Sequence, residues 1–248
     1  MLPNIFKPHY EYELLRIGSK YDGGYLVERS SIDHSECLIS FGISTNWDFE
    51  RIFLSFNRVE LFAFDGSIDK EFWENQRLAA LRKLKSLSIN KFIKYYFIKK
   101  NFYKFFNKDN YIPKFISNTL ENSIPFNKAL NYTTKKNIFL KIDIEGSEYE
   151  ILDEILLNQS KIIGMVIEFH SCNTNLEKIV NFIENFKLKL VHIHANNYDD
   201  FYKIAIPETI EITFSKNPIK LGSYKDLPHK LDRPNKHNKK EIPLNFND

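Results

Sequence analysis

The sequence has little cysteine and no long apolar run. Its 248 residues include only two cysteines, Cys37 and Cys172, which are too few for a disulfide framework and are not spaced as a metal motif. No apolar stretch approaches the roughly 20 residues that a membrane-spanning helix needs. The first residues also lack a basic segment followed by an apolar stretch and a cleavage site, so we expect a cytoplasmic protein with no transmembrane segment.

Glycine is scarce as well. The chain has eight glycines, and neither G-x-G-x-x-G nor the phosphate loop G-x-x-x-x-G-K-[ST] occurs. Such loops allow a pyrophosphate to approach the backbone, so their absence argues against a dinucleotide or nucleoside triphosphate cofactor. The net charge of +3 is mild and does not by itself indicate a nucleic-acid partner. The abundance of Asn, Lys, Ile and Phe is typical of an AT-rich bacterial genome.

Predicted strands alternate with predicted helices. The apolar runs that predict strands are 37–41, 59–64, 138–142, 162–167, 188–193 and 210–214. Residues 49–56 predict a helix, and two capping-box patterns, Ser147 with Glu150 and Thr174 with Glu177, predict two more helix starts. This alternation predicts an α/β fold, in which a mostly parallel sheet is covered on both faces within one domain over 1–230. The last two strands would add an antiparallel edge.

Residues 70–109 interrupt the alternation. They carry eleven Lys or Arg and three acids, with Phe and Tyr interleaved. We interpret them as a basic helical insertion. Four roles stay open: a scaffold whose aromatics pack on the sheet, a lid over an anionic substrate, a nucleic-acid surface, or a membrane-docking surface. Residues 231–248 are polar and predict a tail that extends over the surface.

Acidic residues and histidines recur where the predicted strands end. They are Asp65, Asp143, Glu145, Glu168, His170 and His194, followed by Asn196 and Asn197. The carboxyl ends of parallel strands meet at one edge of the sheet, where α/β proteins bind ligands, so we expect a site there. Asp65 stands where an acid commonly accepts hydrogen bonds from ribose hydroxyls. With no phosphate loop present, this pattern favours a phosphate-free nucleoside cofactor such as S-adenosylmethionine.

Four segments, 16–25, 40–50, 140–148 and 192–197, resemble FkbM-type S-adenosylmethionine-dependent methyltransferases. The strongest of them is Leu-Lys-Ile-Asp-Ile-Glu-Gly-Ser-Glu at 140–148, and together they leave out the insertion and the tail. The resemblance implies a Rossmann-like class I methyltransferase fold with a mostly parallel seven-stranded sheet. It also implies a set of cofactor-binding residues, with Asp65 at the ribose. That set is Asp22, Gly23, Gly24, Tyr25, Gly42, Ser44, Asn46, Trp47, Asp65 and Gly66.

The resemblance further implies O-methylation of a sugar, either nucleotide-activated or part of a capsular or surface polysaccharide. A sugar hydroxyl must lose its proton to accept a methyl group, and two mechanisms are open. In one, His170 is the general base and Asp143 or Glu168 orients it. In the other, Asp143, Glu168 and His170 bind a divalent metal such as Mg²⁺. Glu145 and His194 are further catalytic candidates.

Two other functions are compatible with the residues. Asp143-Ile-Glu145 imitates the D-x-D metal motif of glycosyltransferases that use nucleotide sugars. The basic insertion is compatible with a nucleic-acid-binding or nucleic-acid-modifying protein, although the rest of the chain is nearly balanced in charge. We therefore expect a small-molecule or nucleotide-linked sugar acceptor and no nucleic acid. The oligomeric state is not fixed by the sequence, and a homo-oligomer stays open.

Overall fold

The computed structural model describes residues 1–84, 89–198, 206–224 and 227–247. Helices within these residues are α1 (Arg29–Asp33), α2 (Asp48–Phe56), α3 (Lys70–Leu84), α4 (Ile89–Phe105), α5 (Phe126–Leu130), α6 (Glu148–Asn158) and α7 (Cys172–Asn185). Strands are β1 (Tyr10–Tyr12), β2 (Leu14–Gly18), β3 (Gly24–Glu28), β4 (Cys37–Phe41), β5 (Glu60–Phe64), β6 (Tyr111–Ile112), β7 (Phe115–Ile116), β8 (Ser123–Ile124), β9 (Ile138–Ile142), β10 (Ile162–Phe169), β11 (Lys189–Ala195), β12 (Ile210–Ser215) and β13 (Lys220–Ser223). Short 3-10 turns cover Asn4–Phe6 and Gln159–Lys161.

The main sheet has seven strands in the order β11-β12-β10-β9-β4-β5-β6. Neighbours from β10 to β6 pair in parallel, whereas β12 pairs antiparallel with both β10 and β11. The predicted α/β class and the Rossmann-like, mostly parallel seven-stranded fold are confirmed. One detail differs from expectation, because the antiparallel strand lies inside the sheet and the edge strand β11 runs in the same direction as β10.

Apolar residues fill both faces of this sheet. Successive residues of β4 belong to opposite sides: Ile39 joins the cluster under α6 and α7, and Leu38 joins the cluster under α2. All residues of β4, β9 and β10 are buried. A strand that is packed on both faces reads as a continuous apolar run, which is why these three strands were recognisable in the sequence.

The basic segment forms the two helices α3 and α4. Trp73 of α3 and Phe102 of α4 are buried, with ring centroids 5.3 Å apart. Phe102 also contacts Tyr111 at the start of β6, at 4.9 Å between centroids. These aromatic contacts hold the helical pair on the α2 side of the sheet. The predicted helical insertion is therefore present in the described residues, and part of its aromatic content is core.

Both predicted capping boxes are wrong. Ser147 precedes α6 but makes no capping hydrogen bond through its side chain. Instead, the carboxylate of Glu148 accepts hydrogen bonds from the backbone N–H groups of Ile144 and Gly146. Helix α7 begins at Cys172, so Thr174 lies inside it. The pattern identified both helices and placed the start of α6 correctly at Ser147, but it misplaced the start of α7, whose N-cap residue is Ser171.

The polar segment after residue 230 is held to the sheet by buried groups. Asp232 and Asn235 are buried, and His192 Nε2 lies 2.9 Å from Asp232 Oδ1. Further along, Glu241 Oε2 lies 2.9 Å from His194 Nε2. These residues therefore do more than extend over the surface.

None of the helices in the described part of the chain combines the length and the hydrophobicity that spanning a bilayer requires.

Gly42 allows β4 and β9 to end close together. Its φ is +74°, and a Cβ at this position would lie 1.6 Å from the carbonyl oxygen of Asp143. We expect Gly42→Ala to lower the free energy of unfolding by more than about 2 kcal/mol, because the new methyl group meets backbone that cannot move aside. Urea denaturation measures this loss.

Two other glycines serve as matched controls for Gly42→Ala. Gly222→Ala adds a methyl group in open space and should change stability by less than about 0.5 kcal/mol. Gly146→Ala shares the positive φ, +103°, but no atom lies within 4 Å of the new Cβ. It therefore isolates the cost of the backbone conformation. A Gly42→Ala variant as stable as Gly222→Ala would contradict the close approach.

Candidate active site

A crevice of about 370 Å³ opens beyond the carboxyl ends of β4, β5 and β9. Eight predicted site residues line it: Asp22, Gly23, Gly42, Ser44, Asn46, Asp65, Asp143 and Glu145. Its remaining walls are largely apolar and include Phe64, Phe115, Ile116 and Leu120. The volume lies within the range of small-molecule pockets. A cavity is therefore present at the sheet edge where the site is expected.

Four residues predicted to bind the cofactor do not line this crevice. Trp47 packs edge-on against Phe102, with centroids 5.6 Å apart. Gly66 lies under Phe115, whose ring would be 2.4 Å from an added Cβ. Gly24 and Tyr25 are buried in β3, behind the crevice. These residues shape the surrounding structure, and their sequence neighbours Asn46, Asp65 and Gly23 reach the cavity instead.

Asp65 holds the loop that follows β4. Its Oδ2 accepts hydrogen bonds from the backbone N–H groups of Ile43 and Ser44, at 2.9 and 2.6 Å. Its Oδ1 accepts from the backbone N–H and the hydroxyl of Ser67, at 2.8 and 2.6 Å. A carboxylate offers about four acceptor positions, and these four donors use them. Asp65 therefore fixes the shape of the crevice floor, a role that the sequence did not reveal. Its predicted role as acceptor for ribose hydroxyls stays a prediction, which would require the carboxylate to share or exchange one of these contacts.

Three non-glycine residues with left-handed backbone lie just after strands of the main sheet. Ser44 follows β4, Glu145 follows β9 and Ser171 follows β10, with φ of 52°, 54° and 51°. Each such conformation costs energy that the surrounding structure must offset, and such residues cluster at functional sites. At Glu145 this backbone turns the side chain outwards, where it is 84% exposed at the crevice rim.

The predicted triad of Asp143, Glu168 and His170 comes together beside the crevice. One ligand-type atom from each residue lies within 4.8 Å of the others. Two further side chains hold the carboxylates. The hydroxyl of Tyr25 lies 3.1 Å from Asp143 Oδ2 and 2.9 Å from Glu168 Oε2, and Asn196 Nδ2 donates to Glu168 Oε1 at 2.9 Å. The triad adjoins the cavity through Asp143.

Glu148 orients His170, in place of the predicted Asp143 or Glu168. His170 Nδ1 lies 3.0 Å from Glu148 Oε1, whereas Nε2 faces Glu145 Oε2 at 3.5 Å and Glu168 Oε1 at 3.9 Å. Burial lowers the pKa of His170, but the hydrogen bond and charge of Glu148, with the charge of Glu168, outweigh it and raise the pKa to about 9. His170 therefore carries a proton at neutral pH in this arrangement.

Other ionisable groups around the triad are shifted by burial and by one another. Burial and the charge of Asp143 raise the pKa of Glu168 well above its usual value. Burial and the same charge raise the pKa of Tyr25. Burial lowers the pKa of Lys141, but the charges of Asp143 and Glu50 outweigh burial and the net shift is upward. Lys141 is thus a buried cation amid acids, and its Nζ donates to Gly42 O and lies 3.3 Å from Asp143 Oδ2.

His194 does not reach the crevice. It is buried in β11, with Nδ1 3.1 Å from Glu211 Oε2 and Nε2 2.9 Å from Glu241 Oε2. Burial lowers its pKa, but Glu211 and Glu241 raise it well above the usual value. With carboxylates on both ring nitrogens, His194 has no nitrogen left for an acceptor. We therefore assign it to a buried network beneath the site.

The sequence analysis missed two residues of the candidate site, Lys141 and Glu148. Only Lys141 carried a signal in the sequence. Lys141 interrupts an otherwise apolar buried strand, and a lysine in such a position needs a carboxylate partner, which Asp143 provides. Glu148 carried no such signal. It reads as an ordinary acid in the first turn of a helix, and only the packing of α6 against the end of β10 places it beside His170.

The family model of the methyltransferase FkbM domain matches residues 81–199. This match confirms the resemblance to FkbM-type methyltransferases. It contains the segments 140–148 and 192–197, whereas 16–25 and 40–50 lie before its start. The matched residues include α4, which belongs to the basic insertion. The expectation that the resemblance does not extend into this insertion is therefore wrong. No protein of curated function matches the chain.

Several solved structures show a distant likeness. Precorrin-6y C5,15-methyltransferase from Geobacter metallireducens is 14% identical, with a TM-score of 0.39, over 75% of this chain and 84% of that chain. TrmK from M. capricolum, in complex with S-adenosyl-homocysteine, is 17% identical, with a TM-score of 0.37, over 81% of this chain and 70% of that chain. Similarity at this level does not bear on the site.

The pairing of His170 with Glu148 has a measurable pH signature. We expect NMR titration of the His170 ring to give a pKa of about 9, and Glu148→Gln to bring that pKa down towards the usual range. The raised pKa means that protonated His170 stabilises the folded protein. This stabilisation is complete below about pH 6.5, the usual pKa of histidine in an unfolded chain, and is lost as the pH rises through 9. The contribution amounts to about 1.4 kcal/mol per pKa unit.

Glu150→Gln is the control for Glu148→Gln. It removes a carboxylate from the same helix whose partners are Ser117 and Asn118. The His170 pKa should not change in this variant. A His170 pKa that is the same in wild type and Glu148→Gln would show that Glu148 does not set the charge of the imidazole.

Proposed function

We propose that this chain, with its match to the methyltransferase FkbM domain, is an S-adenosylmethionine-dependent O-methyltransferase that acts on a sugar hydroxyl. The observation that carries the proposal is the contact between a cofactor-sized crevice and the triad of Asp143, Glu168 and His170. A methyl donor in the crevice and a hydroxyl at the triad would meet at Asp143, which belongs to both.

The residues around the crevice fit the proposed cofactor. Phe115, Ile116 and Leu120 supply apolar walls suited to a nucleobase, and Asp22 and Asp143 supply negative charge suited to a cationic amino acid. Gly42 and the loop held by Asp65 form the turn between them. When bound, S-adenosylmethionine supplies a methyl group on a positively charged sulfur. The protein then has to hold the acceptor hydroxyl in line and remove its proton.

We further propose that Asp143, Glu168 and His170 hold a divalent cation such as Mg²⁺, which would supply Lewis acidity to the acceptor hydroxyl. The donor set fits, because two carboxylates and one imidazole converge. Glu148 contacts Nδ1 of His170, so that Nε2 faces Glu145 Oε2 at 3.5 Å and Glu168 Oε1 at 3.9 Å. Tyr25 and Asn196 fix the carboxylates. The alternative is His170 as general base. Both roles require His170 Nε2 without its proton, so the raised pKa of His170 does not choose between them.

A sugar that carries phosphate suits the surroundings of the crevice. A second, open cavity of about 440 Å³ lies between the loop after β4 and α4, and Asn46 lines both cavities. Arg51, Asn101 and Lys104 line this second cavity, together with Asp48, which lies 2.8 Å from Arg51 and offsets its charge. Lys104 and the amide of Asn101 beside the crevice favour an anionic acceptor. We therefore propose a nucleotide-activated sugar or a charged unit of a capsular or surface polysaccharide.

Calorimetric titration with S-adenosylhomocysteine tests the cofactor and the metal together. We expect saturable micromolar binding both in Mg²⁺ and in EDTA, and methyl transfer to nucleotide sugars only in Mg²⁺. Turnover that is unaffected by EDTA would remove the metal and leave His170 as the base. An absence of binding under both conditions, with hydrolysis of a nucleotide sugar, would favour a metal-dependent glycosyltransferase instead.

Two substitutions separate cofactor binding from proton removal. Asp65→Ala should abolish S-adenosylhomocysteine binding, because the loop of Ile43 and Ser44 loses its anchor. His170→Ala should retain that binding and reduce turnover by at least about 100-fold. The exposed residues Asp153 and His9 supply the control variants, which should resemble wild type in both measurements. Normal cofactor affinity in Asp65→Ala, or full turnover in His170→Ala, would contradict the corresponding role.

A further inference from the structure

Helix α4 exposes a stripe of large apolar side chains. Ile93, Tyr96, Phe97 and Tyr103 are 45%, 55%, 54% and 56% exposed. Spacings of three, four and seven residues place them on one side of the helix, together with the exposed Lys100 and Lys104. We call these six residues the α4 stripe. Large apolar side chains that are clustered in this way mark interaction surfaces, whereas scattered ones do not.

The stripe is separate from the side of α4 that builds the core. Phe102 and the following Phe106 are buried against Trp47 and Tyr111, and Lys99 turns back over the Trp73 ring. These contacts account for the attachment of α4 to the sheet. The α4 stripe takes no part in them apart from the ring of Tyr103, which touches Trp73 and Phe102 at its edge. Its apolar area is therefore available to a partner.

The charge of α4 defines the chemistry of that partner. Residues 89–105 contain five lysines and no acidic residue. Lys94, Lys100 and Lys104 are exposed beside the apolar side chains. A partner that covers this surface must offer negative charge and, within a few ångströms, an apolar layer. The headgroup region of an anionic bilayer has this composition, because phosphates lie directly above acyl chains.

We propose that the α4 stripe docks on the surface of an anionic lipid bilayer. Tyr and Phe rings are favoured at the level of the headgroups, and lysine stems can lie along apolar surface while their amines reach phosphates. A polyanion such as RNA would use the lysines and could stack on the rings, but it would leave the aliphatic Ile93 without a partner. The presence of Ile93 in the stripe thus favours lipid over nucleic acid.

Docking would bring the catalytic crevice near the membrane. Lys104, at the carboxyl end of the stripe, lines the second cavity, and Asn46 joins that cavity to the crevice. An acceptor sugar held at the bilayer surface would therefore lie close to the site, a consequence that rests on the proposed methyl transfer. The docking itself does not depend on that function.

Sedimentation with lipid vesicles tests the proposal on the full chain. We expect binding to vesicles of phosphatidylcholine mixed with phosphatidylglycerol and little binding to phosphatidylcholine alone. Both Ile93→Ser with Phe97→Ser and Lys94→Gln with Lys100→Gln should lower the partition coefficient by about tenfold or more. Their melting temperatures and S-adenosylhomocysteine affinities should match wild type, which separates this test from that of the proposed function.

Matched pairs on other surfaces control for apolar area and for charge. Leu157→Ser with Leu221→Ser removes two leucines that are 81% and 58% exposed, and Lys187→Gln with Lys189→Gln removes two exposed lysines. Neither should change vesicle binding by more than about twofold. Equal losses in stripe and control variants, or no binding to anionic vesicles, would overturn the proposal. Binding to polyuridylate that persists in the Ile93→Ser, Phe97→Ser variant would also overturn it. So would a dimer in solution that the same variant dissociates.

Discussion

The close approach of the ends of β4 and β9 is the constraint on which the candidate site depends. Gly42 has no side chain, so its backbone can pack against the carbonyl of Asp143, and Asp143 N–H in turn donates to Phe41 O at 3.1 Å. The loop after β4 and the acid after β9 thereby share one crevice. Asp65, at the end of the next strand, completes the arrangement by holding that loop through two backbone N–H groups.

Charge compensation is the second constraint. Asp143 and Glu168 lie together in a largely buried region, where like charges would repel strongly if nothing offset them. Lys141 and His170 supply positive charge, and Tyr25 and Asn196 supply hydrogen bonds. These partners come from β9, the end of β10, β3 and the end of β11. The site thus forms only when the N-terminal hairpin and both halves of the sheet are assembled.

The helical pair α3–α4 shows how one composition serves two purposes. Its aromatic residues are alike in the sequence, yet Trp73 and Phe102 are core residues whereas Tyr96 and Phe97 face outwards. Apolar residues surround α4 on every side, so periodicity alone cannot separate the face that packs on the sheet from the face that meets a partner. The contacts of Phe102 and Phe106 with Trp47 and Tyr111 identify the side of α4 that packs on the sheet.

The sequence by itself determined six of the seven strands of the main sheet, the helices α2, α6 and α7, and the sheet edge at which Asp143, Glu168 and His170 meet. These features follow from buried apolar runs and from the rule that parallel strands end at one edge, both of which are local patterns. Tertiary structure alone decided the partners. Glu148 is near His170, Tyr25 is near Glu168, and His194 is enclosed by Glu211 and Glu241, because packing joins residues that are distant along the chain. Side-chain pairing, burial and the resulting pKa shifts depend on three-dimensional distance, which no local pattern in the sequence encodes.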